Sequence, residues 1–99
     1  MRIEVLYVPG CPNYQPTRER VERVLASEAV LEQVHSVPVR TEAISLGFPG
    51  SPTVRVNGRD VEPNALIVPG LACRLYANGL GVPSEEIVRA AISEAKRKE

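Results

Sequence analysis

The fold is decided at the stretch Tyr7-Val8-Pro9-Gly10-Cys11-Pro12-Asn13-Tyr14-Gln15-Pro16. An apolar run ends there in a Pro-Gly turn, and a cysteine follows at the entrance to a predicted helix. A helix start offers unpaired backbone N–H groups and a partial positive charge, and both favour a thiolate over a thiol. We therefore place the candidate reactive group at Cys11.

The segments around this stretch predict a strand, a helix and a second strand. Residues 2–8 form a near-continuous apolar run, which is typical of a central strand buried on both faces. A helix is predicted from Thr17 to about Val34, with its apolar residues at helical spacing. Pro16 fits the first position of this helix. The alternative is a helix that starts at Pro12 and is distorted in its first turns by Pro16.

Residues 36–42 predict the second strand, and Pro38 places it at a sheet edge because proline cannot donate to a ladder. A strand–helix–strand unit of this length predicts parallel strands joined by a right-handed crossover. His35, the only histidine, then falls at the end of the helix far from Cys11, where it is predicted to act as a helix C-terminal cation.

The second half of the chain predicts a hairpin, a long irregular segment and a last helix. Asn57-Gly58 lies between short β-prone runs within residues 53–62 and is typical of a two-residue hairpin turn. Residues 63–83 show no clean period, although residues 71–76 alternate and are compatible with a short strand. Ser84 then caps a final helix that has acidic residues in its first turn and basic residues in its last.

Composition limits the class of protein. The 99 residues predict one domain spanning 1–99, and 43% hydrophobic residues suffice for one modest core. Twelve basic and twelve acidic residues cancel, which argues against nucleic acid as a partner. No apolar run approaches the roughly 20 residues that a membrane span needs, and no signal-peptide pattern is present, so we expect a cytoplasmic protein without membrane contact. Two cysteines and one histidine exclude a four-ligand zinc site of those residue types.

The element order, together with Cys11 after the first strand and Ser51-Pro52-Thr53 before the hairpin, resembles the thioredoxin fold over essentially the whole chain. In particular, the chain looks like small stand-alone bacterial thioredoxin-like proteins with a Gly-Cys-Pro-Asn-Tyr or Gly-Cys-Pro-Asn-Cys motif. Some of those relatives carry an alkylmercury-lyase-like label. The resemblance implies an α/β protein with a mixed four-stranded sheet, formed by a βαβ unit plus a β-hairpin, with flanking helices.

The resemblance also implies roles for three positions. Cys11 takes the place of the attacking cysteine, Pro52 that of the cis-proline facing it, and Tyr14 that of the second cysteine of dithiol members. A departure is the missing buried acid beneath the cysteine: Val5 stands at that position, and Glu4 is on the opposite face of the strand. Tyr14 either donates a hydrogen bond to the Cys11 thiolate or only packs.

Three functions follow as hypotheses. The first is thiol–disulfide exchange, in which Cys11 attacks a protein or low-molecular-weight disulfide, and Cys73 or an external thiol releases the mixed disulfide. The second is binding of a soft metal or an organomercurial through Cys11 and Cys73. The third is a thioredoxin-fold interaction module without chemistry. Cys73, between two leucines, is either a core residue or a partner near Cys11. No bound cofactor is expected, and the chain is predicted to be a monomer or a weak homodimer.

Overall fold

A computed structural model of the chain describes residues 1–39, 50–62, 76 and 79–98. These residues contain four strands and two helices, which are β1 (Ile3–Tyr7), α1 (Tyr14–Ser27), β2 (Val34–Pro38), β3 (Thr53–Val56), β4 (Arg59–Asp60) and α2 (Glu85–Lys98). Neither α1 nor α2 has the length and apolar character needed to cross a membrane.

The strands form one mixed sheet in the order β2-β1-β3-β4. β1 pairs in parallel with β2 and antiparallel with β3, which in turn pairs antiparallel with β4. The predicted mixed α/β sheet is therefore confirmed, with β1 in a central position and β2 at an edge of the sheet that the described residues form. Pro38 is the last residue of that edge strand, where its missing N–H costs no ladder bond.

Both helices pack on one face of the sheet and share its core. Alternate residues of β1 and β3 point to this face, while Glu4 and Leu6 point away from it. The cluster consists of Ile3, Val5, Val21, Val24, Leu25, Val54, Val56, Val88, Ile92 and Ala95. The opposite face carries a smaller cluster around Leu6, with Val8, Val37 and Val39 packed against it. Val5 is thus part of the helix-side core, and Glu4 lies on the other face as its position in the strand predicts.

Helix α1 ends at Ser27, so the predicted end near Val34 is wrong. Ala29 adopts a left-handed backbone with φ of 56°, a conformation that non-glycine residues seldom occupy. The Ala29 N–H donates to the Ala26 carbonyl, and the Val30 N–H donates to the Leu25 carbonyl. This pair of bonds is the Schellman stop that usually contains glycine. The sequence gives no sign of this helix stop, because alanine is not a residue that indicates a left-handed backbone.

The early end of α1 changes the assignment of the residues that follow. β2 begins at Val34 rather than at residue 36 and closes at Pro38, while residues 40–42 lie outside the described part of the chain. His35 is therefore not a helix C-terminal cation, because it lies on β2 in register with Glu4. That register places it near the start of β1, whereas Cys11 follows the end of the same strand.

The hairpin and the last helix are confirmed. Asn57 and Gly58 have φ values of 53° and 81°, which are the two positive values that this turn type requires. The Ser84 hydroxyl accepts a hydrogen bond from the Ile87 N–H at 3.2 Å and so caps α2. Of the residues 71–76 that were compatible with a strand, only Tyr76 lies among the described residues.

Two fully buried threonines differ in hydrogen bonding, so replacing each by valine is expected to change the stability in opposite directions. The Thr17 hydroxyl has no hydrogen-bond partner among the described residues, whereas the Thr53 hydroxyl donates to the Gly50 carbonyl at 2.6 Å. An unsatisfied buried hydroxyl is costly, so Thr17→Val is expected to raise the free energy of unfolding by about 1 kcal/mol. Thr53→Val is the matched control and should lower it by about 1 kcal/mol. Urea unfolding of both variants checks the pair, and a loss of stability in Thr17→Val would contradict the prediction.

Candidate functional site

Cys11 lies in the turn that connects β1 to α1, and its side chain is partly exposed. The Cys11 N–H donates to the Val8 carbonyl at 3.0 Å, and the Cys11 carbonyl accepts from the Tyr14 N–H at 3.3 Å. Helix α1 begins at Tyr14 with Asn13 as its N-cap, so it starts at neither of the predicted positions. Pro16 lies inside the first turn, where its missing N–H has no intrahelical partner to lose. Cys11 therefore lies two residues before the cap of α1.

The antiparallel pairing of β1 with β3 places the segment Ser51-Pro52 beside this turn. The register pairs Leu6 with Thr53, so the residues that follow Leu6 run alongside those that precede Thr53. The Val8 N–H accordingly donates to the Ser51 hydroxyl at 3.0 Å. Ser51 and Pro52 are both buried, and the peptide bond between them is cis, as the resemblance implies.

Tyr76 holds the Ser51-Pro52 segment from a distant part of the chain. Its side chain is buried, and its hydroxyl donates to the Pro52 carbonyl at 2.5 Å. The Tyr76 N–H donates to the Leu80 carbonyl at 2.9 Å, which folds the chain back on itself at that point. The position of the Ser51-Pro52 segment therefore depends on a side chain from the irregular part of the sequence.

The same irregular part touches the Cys11 turn directly at Gly81. A Cβ atom at Gly81 would lie 2.2 Å from the Asn13 side-chain nitrogen, closer than any such contact allows. The Asn13 side chain thus packs on the bare backbone of Gly81, and a larger residue there would displace it. Leu80, one residue earlier, is 59% exposed.

Tyr14 packs and bonds away from the thiol. Its ring stacks on the ring of Tyr7, with centroids 4.0 Å apart and planes at 24°. Its hydroxyl donates to the Ser36 hydroxyl at 2.6 Å and accepts from the Arg18 guanidinium at 3.2 Å. The Ser36 hydroxyl, which can donate to the phenolate once the proton is lost, and the Arg18 guanidinium hold the pKa of Tyr14 below its ordinary value. Of the two roles open to Tyr14, the structure shows packing, because the hydroxyl proton is directed to Ser36 rather than to Cys11.

Cys73 lies outside the described residues, so its position relative to Cys11 and the two-thiolate metal site stay predictions. Among the described residues, no three His, Cys, Asp or Glu side chains come together in a way that could hold a metal ion.

Four features of the site were missed by sequence reasoning. They are the Ser51 hydroxyl bond to Val8, the Tyr76 bond to Pro52, the Asn13 contact with Gly81 and the Tyr14–Ser36–Arg18 cluster. The pairing of a hairpin strand with β1 was the one signal that could have found Ser51. Apart from the Tyr14–Arg18 contact within α1, the other three join residues far apart in the sequence and leave no local pattern.

No protein-family model, no curated protein and no solved structure matches the chain. The chemistry of the site therefore has to follow from its own residues.

Proposed function

We propose that this chain is a thioredoxin-like thiol–disulfide exchange protein in which Cys11 is the attacking thiol. The observation that carries the proposal is the hydrogen-bonded path from Cys11 to the Ser51-Pro52 segment. The Cys11 N–H binds the Val8 carbonyl, and the Val8 N–H binds the Ser51 hydroxyl. A partly exposed thiol thus lies beside a buried, well-anchored backbone segment at the end of the central strand.

Further support comes from the order and direction of the strands. The parallel pair β1–β2, the antiparallel neighbour β3 and the hairpin strand β4 agree with the βαβ unit plus β-hairpin that the resemblance implies. Cys11 follows β1 and Ser51-Pro52 precedes β3, so strand pairing alone brings these two segments to the same end of the sheet.

The reaction needs a thiolate and a disulfide and no bound cofactor. The Cys11 thiolate attacks one sulfur of the substrate, forming a mixed disulfide while the other substrate sulfur leaves as a thiolate and takes up a proton. A second thiol, either Cys73 or an external one, then attacks the Cys11 sulfur of the mixed disulfide and frees the first half of the substrate as a thiol. Cys11 is left in a disulfide with that second thiol, and a further external thiol such as glutathione reduces this disulfide and becomes oxidised in turn. The substrates are protein or low-molecular-weight disulfides, and we place this activity in the cytoplasm, where thiols are kept reduced.

Trapping of the mixed disulfide tests the proposal. The reduced protein is mixed with oxidised glutathione or a short peptide disulfide, quenched with acid within seconds and digested for mass mapping. We expect the substrate half on Cys11 at the earliest times, followed by its release or by a Cys11–Cys73 disulfide. The Cys11→Ser variant is the matched control and should carry no early adduct. Adducts confined to Cys73, or none on either cysteine, would refute the assignment of Cys11.

A further inference from the structure

Two aromatic residues bracket the turn that carries Cys11. Tyr7 is the last residue of β1 and Tyr14 is the first residue of α1. Their stacked rings, with centroids 4.0 Å apart, therefore join the two ends of the turn at its base. Stacked aromatic pairs contribute beyond the area that they bury.

The Tyr14 hydroxyl also connects the base of the turn to strand β2. It lies 2.6 Å from the Ser36 hydroxyl, and one nitrogen of the Arg18 guanidinium lies 2.8 Å from Ser36 and 3.2 Å from Tyr14. Arg18 is itself held by Glu22 at 2.8 Å. Ser36 lies in the middle of β2, in register with Val5 of the central strand. The resulting triangle of hydrogen bonds connects the start of α1 to the sheet.

Among the residues that the structure describes, the turn is otherwise held by the backbone bonds of Cys11 and by the packing of Asn13 on Gly81. Pro9 and Pro12 have no N–H to donate, and Gly10 has a φ of 90°, where glycine is the most permissive residue. Within the described part of the chain, no side chain forms a cap hydrogen bond at Asn13. The side-chain contacts of Tyr7 and Tyr14 at the base of the turn are therefore important for the position of Cys11.

We infer that Tyr14 is a positioning residue for the Cys11 thiol. Its ring, stacked on Tyr7, and its hydroxyl, bonded to Ser36 and Arg18, hold the turn against the sheet so that Cys11 stays next to the Ser51-Pro52 segment. The inference about exchange rates rests on the proposed function, whereas the anchoring of the turn does not. Tyr14 has no sulfur with which to resolve a mixed disulfide, so its role is to place the attacking thiol.

The test compares Tyr14→Phe, Ser36→Ala and the double variant, with Gln15→Ala as the control. Gln15 is exposed and bonds only Glu19 among the contacts that the structure gives it. Loss of the bond between Tyr14 and Ser36 predicts a fall of about 2- to 10-fold in the exchange rate with a peptide disulfide in each single variant. Both single changes remove the Tyr14–Ser36 bond, and each also removes one bond to Arg18, so the double variant should be slowed by less than the product of the two single effects. Ser36→Thr keeps the hydroxyl and should exchange disulfides at the wild-type rate. If Ser36→Ala acted through a general loss of packing, the larger threonine would also lower the rate.

Two further readouts separate this inference from the proposed function. Ultraviolet titration should show that Tyr14 ionises below the ordinary range near pH 10, a signal that is absent in Tyr14→Phe and moved upward in Ser36→Ala. Alkylation of Cys11 by a neutral reagent at fixed pH should rise in both variants, because a freed turn exposes a thiol that is now partly buried. These two results support the anchoring even if the wild-type protein exchanges no disulfide, which would overturn the proposed function alone. Wild-type alkylation and exchange in Tyr14→Phe, or effects that multiply in the double variant, would overturn the role of Tyr14.

Discussion

Replacing Cys11 by serine is expected to reduce disulfide exchange to the rate seen without protein. A thiolate is the attacking species in this chemistry, and a serine hydroxyl of the same shape stays protonated and forms no disulfide. Serine has nearly the same size as cysteine, and the Cys11 side chain is not fully buried. The substitution should therefore leave the fold unchanged. The assay follows reduction of a peptide disulfide with excess glutathione as the final reductant.

Cys73→Ser is the informative comparison for this assay. With excess glutathione to release the mixed disulfide, the variant should retain turnover, because Cys11 still carries out the first attack. With the external thiol limiting, a fall in turnover would identify Cys73 as the resolving thiol. Full activity in Cys11→Ser, with loss in Cys73→Ser, would reverse the assignment and leave Cys11 as a turn residue.

Replacing Ile92 by alanine is expected to destabilise the fold by about 3 kcal/mol. Ile92 is fully buried on α2 and belongs to the cluster that joins both helices to β1 and β3. Its removal loses the transfer free energy of the deleted carbons and leaves a cavity that the close-packed strands cannot fill. Since the free energy of unfolding of single domains is only about 5–15 kcal/mol, this one substitution removes a large fraction of it.

Leu31→Ala is the matched control for the stability measurement. Leu31 is 99% exposed, so its truncation removes little buried surface and should change the free energy of unfolding by less than about 0.5 kcal/mol. Urea unfolding at a fixed pH compares the two midpoints. Equal losses in the two variants would mean that Leu31 is covered in solution, or that α2 does not pack as the structure shows.

Much of the fold could be predicted because its signals are local. The apolar run of β1, the Asn57-Gly58 turn and the capped start of α2 at Ser84 each depend on neighbouring residues. The parallel pairing of β1 with β2 followed from the intervening helix, and Pro38 marked the edge. The end of α1 was missed because it depends on the left-handed backbone of Ala29, which alanine adopts only when the tertiary structure compensates the cost.

The candidate site likewise contains residues that could be predicted and contacts that could not. Cys11 was identified from its place between a strand and a helix, whereas Pro52 was identified only through the resemblance to the thioredoxin fold. The partners of these residues were not visible. Ser51 bonds a residue 43 positions away, and Tyr76 bonds one 24 positions away. No periodicity or propensity predicts contacts of this separation, because they depend on which strands pair.

By itself the sequence determined the mixed α/β class, the central strand, the hairpin and the identity of the candidate thiol. Only the tertiary structure decided what Tyr14 does: its hydroxyl points to Ser36 and Arg18 rather than to Cys11. The physical reason is that a side chain's position in the sequence sets its place on a helix, whereas its hydrogen-bond partner is whichever group the sheet brings within reach. Here the parallel pairing of β2 with β1 presents Ser36 to the start of α1.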